Sequence, residues 1–195
     1  VSCLPALMGY LGVPGGGLGP RHAAVCHGHG LGDISAMSRR PPGRYVPNQM
    51  ADVTAALNDG RVRMLFLLGT NMLSSFADSG QVAAGLDRAE FVVAYDLFMS
   101  ETARRFADVV LPSTAWLEEL GCKMTNTHVY LMERALQPAG QTRALHEVLS
   151  GLADRLGSTD FYPWDSQEGV IDAVLDHPST GRATVKSLRE NGGIG

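Results

Sequence analysis

The sequence predicts an α/β fold: a Rossmann-like, mostly parallel sheet with helices on both faces. Three observations carry this. Residues 62–68 and 91–95 are near-continuous apolar runs, which is how strands buried on both faces read. Val82, Ala83 and Leu86 keep helical spacing between them. A strand, a helix and a second strand at these intervals form a βαβ unit, with a right-handed crossover and parallel strands. Polar residues also collect where the strands end: Gly69-Thr70-Asn71 after the first and Asp96 after the second. That edge is where doubly wound sheets bind ligands.

Composition bounds the rest. The 195 residues are enough to bury a sizeable core, and 45% hydrophobic with 18% charged residues describes a globular chain. A net charge of −4 gives no electrostatic reason to expect nucleic acid or an anionic membrane as partner. Cys3, Cys26 and Cys122 are scattered, without a Cys-x-x-Cys pair, which argues against a disulfide framework and suits a reducing compartment. No apolar run is long enough to cross a bilayer. The expected location is cytoplasmic, with the periplasm kept as an alternative because no initiating Met opens the chain.

Taken in order, Leu4, Leu7, Met8 and Leu11 follow helical spacing up to Gly12, and Pro14 prevents resumption. Gly15-Gly16-Gly17-Leu18-Gly19-Pro20 follows a helix and lacks the Gly-x-Gly-x-x-Gly order, so it reads as a flexible turn before it reads as a loop against a cofactor. Cys26-His27-Gly28-His29, with His22 nearby, invites a metal reading but lacks the second ligand pair such sites need. Arg39-Arg40-Pro41-Pro42-Gly43-Arg44 reads as a solvated or interdomain loop.

Met50, Val53, Ala56 and Leu57 then suit a helix ending at Gly60. After the βαβ unit, Ser100 and Thr102 stand at the start of a short helical pattern. Residues 109–111 form a second short strand closed by Pro112. Residues 116–119 and a turn at Gly121 lead to a short strand through Val129, Leu131 and Leu136. Leu145, Val148, Leu149, Leu152 and Leu156 make the clearest amphipathic helix, ended by Gly157, with its stripe expected in the core. A last helix is expected from Asp165, with Glu168 as capping-box partner. The tail, residues 187–195, reads as cut.

At the strand ends, Gly69 lets a backbone pass close to a ligand, Asn71 offers donor and acceptor, and Asp96 offers acceptors only. That set suits a purine or ribose edge, since guanine N1 and N2 donors pair with a carboxylate. The competing reading is that Asn71 and Asp96 cap the helices that follow them. Spacing does not separate the two.

Together these motifs resemble the central part of the molybdopterin oxidoreductases, the group of formate dehydrogenases, nitrate reductases and dimethyl sulfoxide reductase. The resemblance runs through Gly12-Val13-Pro14-Gly15-Gly16-Gly17-Leu18, Leu68-Gly69-Thr70-Asn71 and Asp96-Leu97-Phe98-Met99-Ser100-Glu101-Thr102-Ala103. It continues in Ala107-Asp108-Val109-Val110-Leu111-Pro112, Trp116-Leu117-Glu118-Glu119-Leu120-Gly121, Thr125-Asn126 and Pro138-Ala139-Gly140. It implies a molybdenum or tungsten ion held by two molybdopterin guanine dinucleotides. Gly69, Thr70, Asn71 and Asp96 would contact the guanine dinucleotide, with Ser100 and Thr102 as hydroxyls at the next helix start. No catalytic residue and no metal ligand are assigned within the chain.

The chain departs from the family where Glu119 replaces a frequent Lys and where Asn126-Thr127-His128-Val129-Tyr130 replaces a run carrying an arginine pair. His27 also stands where Gln is frequent. The resemblance divides the chain into residues 1–48, a helix and connecting segment; 49–160, the cofactor-binding core; and 161–195, a truncated helical extension. It also implies a 4Fe-4S cluster upstream of this segment, and as partners the remainder of the same chain and an electron-transfer subunit. The alternatives are a non-catalytic subunit of the same fold without molybdenum, and a freestanding nucleotide-binding module. The complete reading frame should carry an upstream cysteine cluster and a metal-ligand residue; a frame lacking both contradicts the enzyme reading.

Overall fold

A computed structural model describes residues 7–10, 13–14, 42–125 and 128–195. Most of the expected opening helix, the Gly15 to Pro20 run, His22, the Cys26 to His29 cluster and Asn126-Thr127 lie outside these residues. Pro42, Gly43 and Arg44 form an exposed bend.

Helix α1 (Met50–Asn58) buries Ala56 and Leu57 completely, on the face the periodicity marks. The strand β1 (Met64–Leu68) follows. It starts two residues later than the apolar run; Arg63, just before it, pairs in a bidentate way with Glu90, just before the neighbouring strand. After β1 the chain makes a one-turn helix α2 (Met72–Ser75) before α3 (Ser79–Leu86), a break the periodicity did not register. Asp78 produces the break: it takes the left-handed conformation (φ 57°) and its side chain accepts from Gln81 N–H to cap α3.

The central strand β2 (Phe91–Asp96) pairs in parallel with β1, and Leu68 faces Tyr95 in that register. After the short helix α4 (Glu101–Phe106), β3 (Val109–Pro112) pairs in parallel with the other side of β2. The order β1-β2-β3 is a three-stranded parallel sheet. Asp108 carboxylate accepts from Val92 N–H at 2.7 Å, which fixes the start of β3 against β2. Val92 and Ala94 join Leu57, Leu67, Met72, Val82, Leu86 and Ala103 in one core. Their alternates Val93 and Tyr95 are buried as well, so β2 is covered on both faces, as a continuous apolar run requires.

Beyond the sheet, a single 3-10 turn (Trp116–Glu118) leads to a two-stranded antiparallel hairpin of β4 (Gly121–Met124) and β5 (Val129–Met132). The expected turn at Gly121 is therefore the first residue of a strand. The run Gly-Cys-Lys-Met carries no alternation that marks β4. Leu136 is not in β5: it is exposed, and its N–H donates to Leu117 carbonyl. The tail pairs with the hairpin, Val129 and Gly195 exchanging backbone hydrogen bonds at 2.9 Å while Leu131 N–H donates to Gly193 carbonyl at 2.8 Å.

Helix α5 (Leu145–Leu156) ends at Gly157, whose φ of +64° is the left-handed conformation of a C-terminal glycine. No α5 residue is buried, and Leu156 is 67% exposed, against the expectation that its stripe is core. Amphipathic spacing shows that a helix has an apolar face, not how much of it is covered; Leu145 and Leu149 meet Tyr162, Val170 and Ile171 around one cavity, while Leu152 and Leu156 project past it.

Helix α6 (Gln167–Leu175) is capped by Ser166, which accepts from Gly169 N–H, and not by Asp165. Glu168 instead pairs with Arg189 on α7 (Val185–Glu190). Ile171, Leu175, Val185 and Leu188 form a second core with Val129 of the hairpin.

The tightest approach in the first core is at Gly85 in α3, where a Cβ would lie 2.8 Å from Leu57 Cβ and 3.1 Å from Asn58 Nδ2. Gly85→Ala should therefore destabilise the chain by about 1–3 kcal/mol through overpacking, despite a helix-propensity gain of about 1 kcal/mol. Denaturant unfolding measures this, and a more stable variant contradicts the packing.

Candidate functional site: the carboxyl edge of the sheet

Parallel pairing makes the strands end on one side, so the sequence-selected residues meet there. Gly69 leaves β1 with φ +56°, a conformation a side chain disfavours, and nothing lies within 4 Å of where its Cβ would be. Its N–H donates to Tyr95 carbonyl at 2.8 Å, which ties it to the end of β2. Thr70 follows, half-buried, with no side-chain hydrogen bond among the described residues. Asp96 closes β2, half-buried, with Oδ1 accepting from Phe98 N–H at 3.2 Å. Its Oδ2 accepts from no described residue.

Asn71, Ser100 and Thr102 sit differently. Thr102 is fully buried, its hydroxyl donating to Asn71 Oδ1 at 2.6 Å and accepting from Leu73 N–H at 3.0 Å. Asn71 Oδ1 also accepts from Thr102 N–H at 3.3 Å. Each helix start thus supplies the acceptor for the other's second amide: Thr102 of α4 serves α2, and Asn71 of α2 serves α4. This is capping across two helices, where the sequence reading considered Asn71 capping its own. Asn71 Nδ2 donates to Ser74 Oγ at 3.0 Å. Ser100 is an ordinary N-cap, accepting from Ala103 N–H at 3.2 Å.

The same edge carries exposed apolar side chains, Phe98 at 74% and Trp116 at 69%, beside Leu97 and Met99. Beside β3, Arg143 bridges Ser113 in parallel, and Tyr95 hydroxyl donates to Arg143 carbonyl at 2.9 Å. Burial pushes the Tyr95 phenol above its ordinary range, against hydrogen bonding with Thr114.

Sequence reasoning gave no structural role to the two glutamates that organise the next segment. Glu118 is buried: one oxygen accepts from Ala115 N–H at 2.8 Å and the other from Ala139 N–H at 3.0 Å, so it holds the Pro138-Ala139-Gly140 turn. Its place three residues after Ala115 is the acid half of a capping box, which the spacing carried unread. Glu119 accepts from Thr114 hydroxyl and from Gln167 Nε2, and burial raises its carboxyl above the usual range. Among the described residues no group of His, Cys, Asp or Glu is arranged to hold a metal ion.

Thr102→Val keeps the shape but strips Leu73 N–H of its acceptor and Asn71 Oδ1 of its hydroxyl donor, leaving it only the backbone N–H, and should cost about 1–3 kcal/mol of stability. Thr102→Ser keeps the hydroxyl and should cost only about 0.8 kcal/mol for the lost methyl. Equal losses in denaturant unfolding contradict the cross-capping.

The family model described as molybdopterin oxidoreductase matches residues 3–155. The chain is 33% identical over 189 residues to a probable oxidoreductase, YoaE, of Bacillus subtilis (strain 168), covering 91% of this chain and 27% of that protein. It is 34% identical over 145 residues to the assimilatory nitrate reductase catalytic subunit of the same organism, with coverage of 71% and 20%. The F420-dependent formate dehydrogenase subunit alpha of Methanocaldococcus jannaschii is 31% identical over 134 residues, with coverage of 67% and 20%. Among solved structures, acetylene hydratase from Pelobacter acetylenicus superposes with a TM-score of 0.62 at 24% identity, over 72% of this chain and 20% of that one, a likeness of fold. The chain spans about a fifth to a quarter of the length of these curated relatives. With the family model covering most of the chain, it belongs to the molybdopterin oxidoreductase family.

Proposed function

We propose that the complete protein is a molybdopterin-dependent oxidoreductase of the formate dehydrogenase or nitrate reductase kind. In it, this chain binds the guanine dinucleotide end of a molybdenum or tungsten cofactor at the carboxyl edge of the sheet. The observation that carries the reading is the pairing of open space at Gly69 with a carboxylate, Asp96, that has an oxygen to spare.

The residues present fit such a group. Asp96 is an acceptor matched to the N1 and N2 donors of guanine. Thr70 offers a hydroxyl to a ribose or phosphate, and Gly69 lets it approach. Asn71 and Ser100 keep one amide hydrogen and one hydroxyl hydrogen to offer. Thr102, fully buried, serves by holding the two helix starts. When bound, the cofactor supplies two-electron redox chemistry at its metal; the protein's share is to fix and orient it.

A 4Fe-4S cluster, the metal's protein ligand and an electron-transfer subunit belong to parts of the protein beyond this segment, and the cytoplasm is the compartment the reading favours. No helix among the described residues is long and apolar enough to cross a membrane. The second reading, a non-catalytic subunit of the same fold, has one observation on its side: the Glu119 carboxylate, at a position where the resemblance leads one to look for a cation, is engaged internally.

In the full-length protein, Asp96→Ala should lower molybdenum (or tungsten) and pterin content together, while thermal stability of the cofactor-free form stays near wild type. Undiminished loading with normal activity contradicts the role of Asp96. Wild-type protein that holds no metal and no pterin when expressed with cofactor-synthesis machinery supports the second reading.

A further inference from the structure

The two flanks of the parallel sheet differ. Beside β3, Arg143 N–H donates to Pro112 carbonyl at 3.2 Å and Arg143 bridges Ser113, so that flank is partly covered. Beside β1, no strand pairs on the side away from β2 among the described residues. Phe91 N–H donates to Arg63 carbonyl and Gly69 N–H to Tyr95 carbonyl, so the odd-numbered residues of this stretch face β2. Backbone groups of a parallel strand alternate between its two neighbours. Those of Met64, Phe66 and Leu68 therefore point outward, and none has a hydrogen-bond partner among the described residues. The strand is Met-Leu-Phe-Leu-Leu, in unbroken register, without the charge, proline or bulge that guards a true edge. Met64 and Leu68 are exposed on it.

The helices say which segment belongs there. Val82 and Leu86 of α3 and Ala103 of α4 share one core with Leu67, Val92 and Ala94, so both crossover helices cover the same face. Through them the chain advances in one direction, from β1 to β2 to β3. Leu57 of α1 joins that core, and Asn58 Nδ2 donates to Gln81 carbonyl of α3 at 2.9 Å, so α1 lies on that face too. A strand that feeds α1 and enters β1 by a right-handed crossover must lie beyond β1, on the side away from β2.

We infer that in the complete protein the open edge of β1 is filled by a parallel strand of the same polypeptide, N-terminal to Val1. Leu4, Leu7, Met8 and Leu11 keep helical spacing, and between Gly12 and Asn48 the longest apolar run is the four small residues Ala23 to Cys26. Neither stretch carries the pattern of a buried strand. The curated relatives are four to five times as long as their match to this chain, which supplies the polypeptide needed. A parallel neighbour ends on the same side as β1. The segment that follows it thus comes beside Gly69 and Thr70, where nothing lies within 4 Å of a Cβ built on Gly69. The pairing does not depend on the cofactor reading.

Amide hydrogen exchange of the complete wild-type protein reads the edge. The amides of Met64, Phe66 and Leu68 should exchange as slowly as those of β2, at least about a hundredfold below their intrinsic rates. Exchange near the intrinsic rate at these three amides, with β2 protected, overturns the inference. A benzophenone photocrosslinker in place of exposed Met64 identifies the occupant in the complete protein. The linked peptide should map N-terminal to Val1. A link to residues between Gly12 and Asn48, to residues after Gly195 or to a second copy of the chain overturns the inference.

Discussion

The buried hydroxyl of Thr102 is the constraint on which the carboxyl edge depends. It lies between Asn71 Oδ1 and Leu73 N–H, and so binds the first turn of α4 to the first turn of α2. Short helices of this length have little stability of their own. Their starts are held because each satisfies an amide of the other in a place water does not reach. With α2 and α4 fixed, the segments between strand and helix have no freedom to wander. Gly69 and Asp96 then face the same side at adjacent strand ends, joined through Gly69 N–H and Tyr95 carbonyl.

That arrangement separates two duties. Thr102 spends both hydrogen-bonding functions inside the protein, while the Thr70 side chain and Asp96 Oδ2 make no hydrogen bond among the described residues. Of the two readings of this edge, helix capping is realised by Thr102, Asn71 and Ser100. Phe98 and Trp116 stand exposed beside these residues, at 74% and 69%.

Much of this was legible in the sequence. Continuous apolar runs located β1 and β2 because buried parallel strands leave no room for alternation, and Pro112 marked the end of β3. The polar residues at the strand ends were found for the same reason: they interrupt apolar runs. Other elements left no signal. β4 is Gly-Cys-Lys-Met, a pattern without period, and it forms because β5 pairs with it. α5 showed its apolar face plainly, yet spacing carries no information about how much of it is covered. The Thr102–Asn71 exchange spans thirty-one positions, beyond any local motif. Glu119 looked only like a departure from the family; its hydrogen bonds to Thr114 and Gln167 link the end of β3 to the start of α6 across gaps of five and forty-eight positions.

The central claim is that the edge at Gly69 and Asp96 grips the guanine end of the cofactor. The most direct measurement is an experimental structure of the cofactor-loaded complete protein. The account predicts guanine N1 and N2 at hydrogen-bond distance, about 2.7–3.2 Å, from the Asp96 carboxylate, with the ribose or phosphate passing over Gly69. A guanine seated elsewhere, with Asp96 holding only Phe98 N–H, contradicts it.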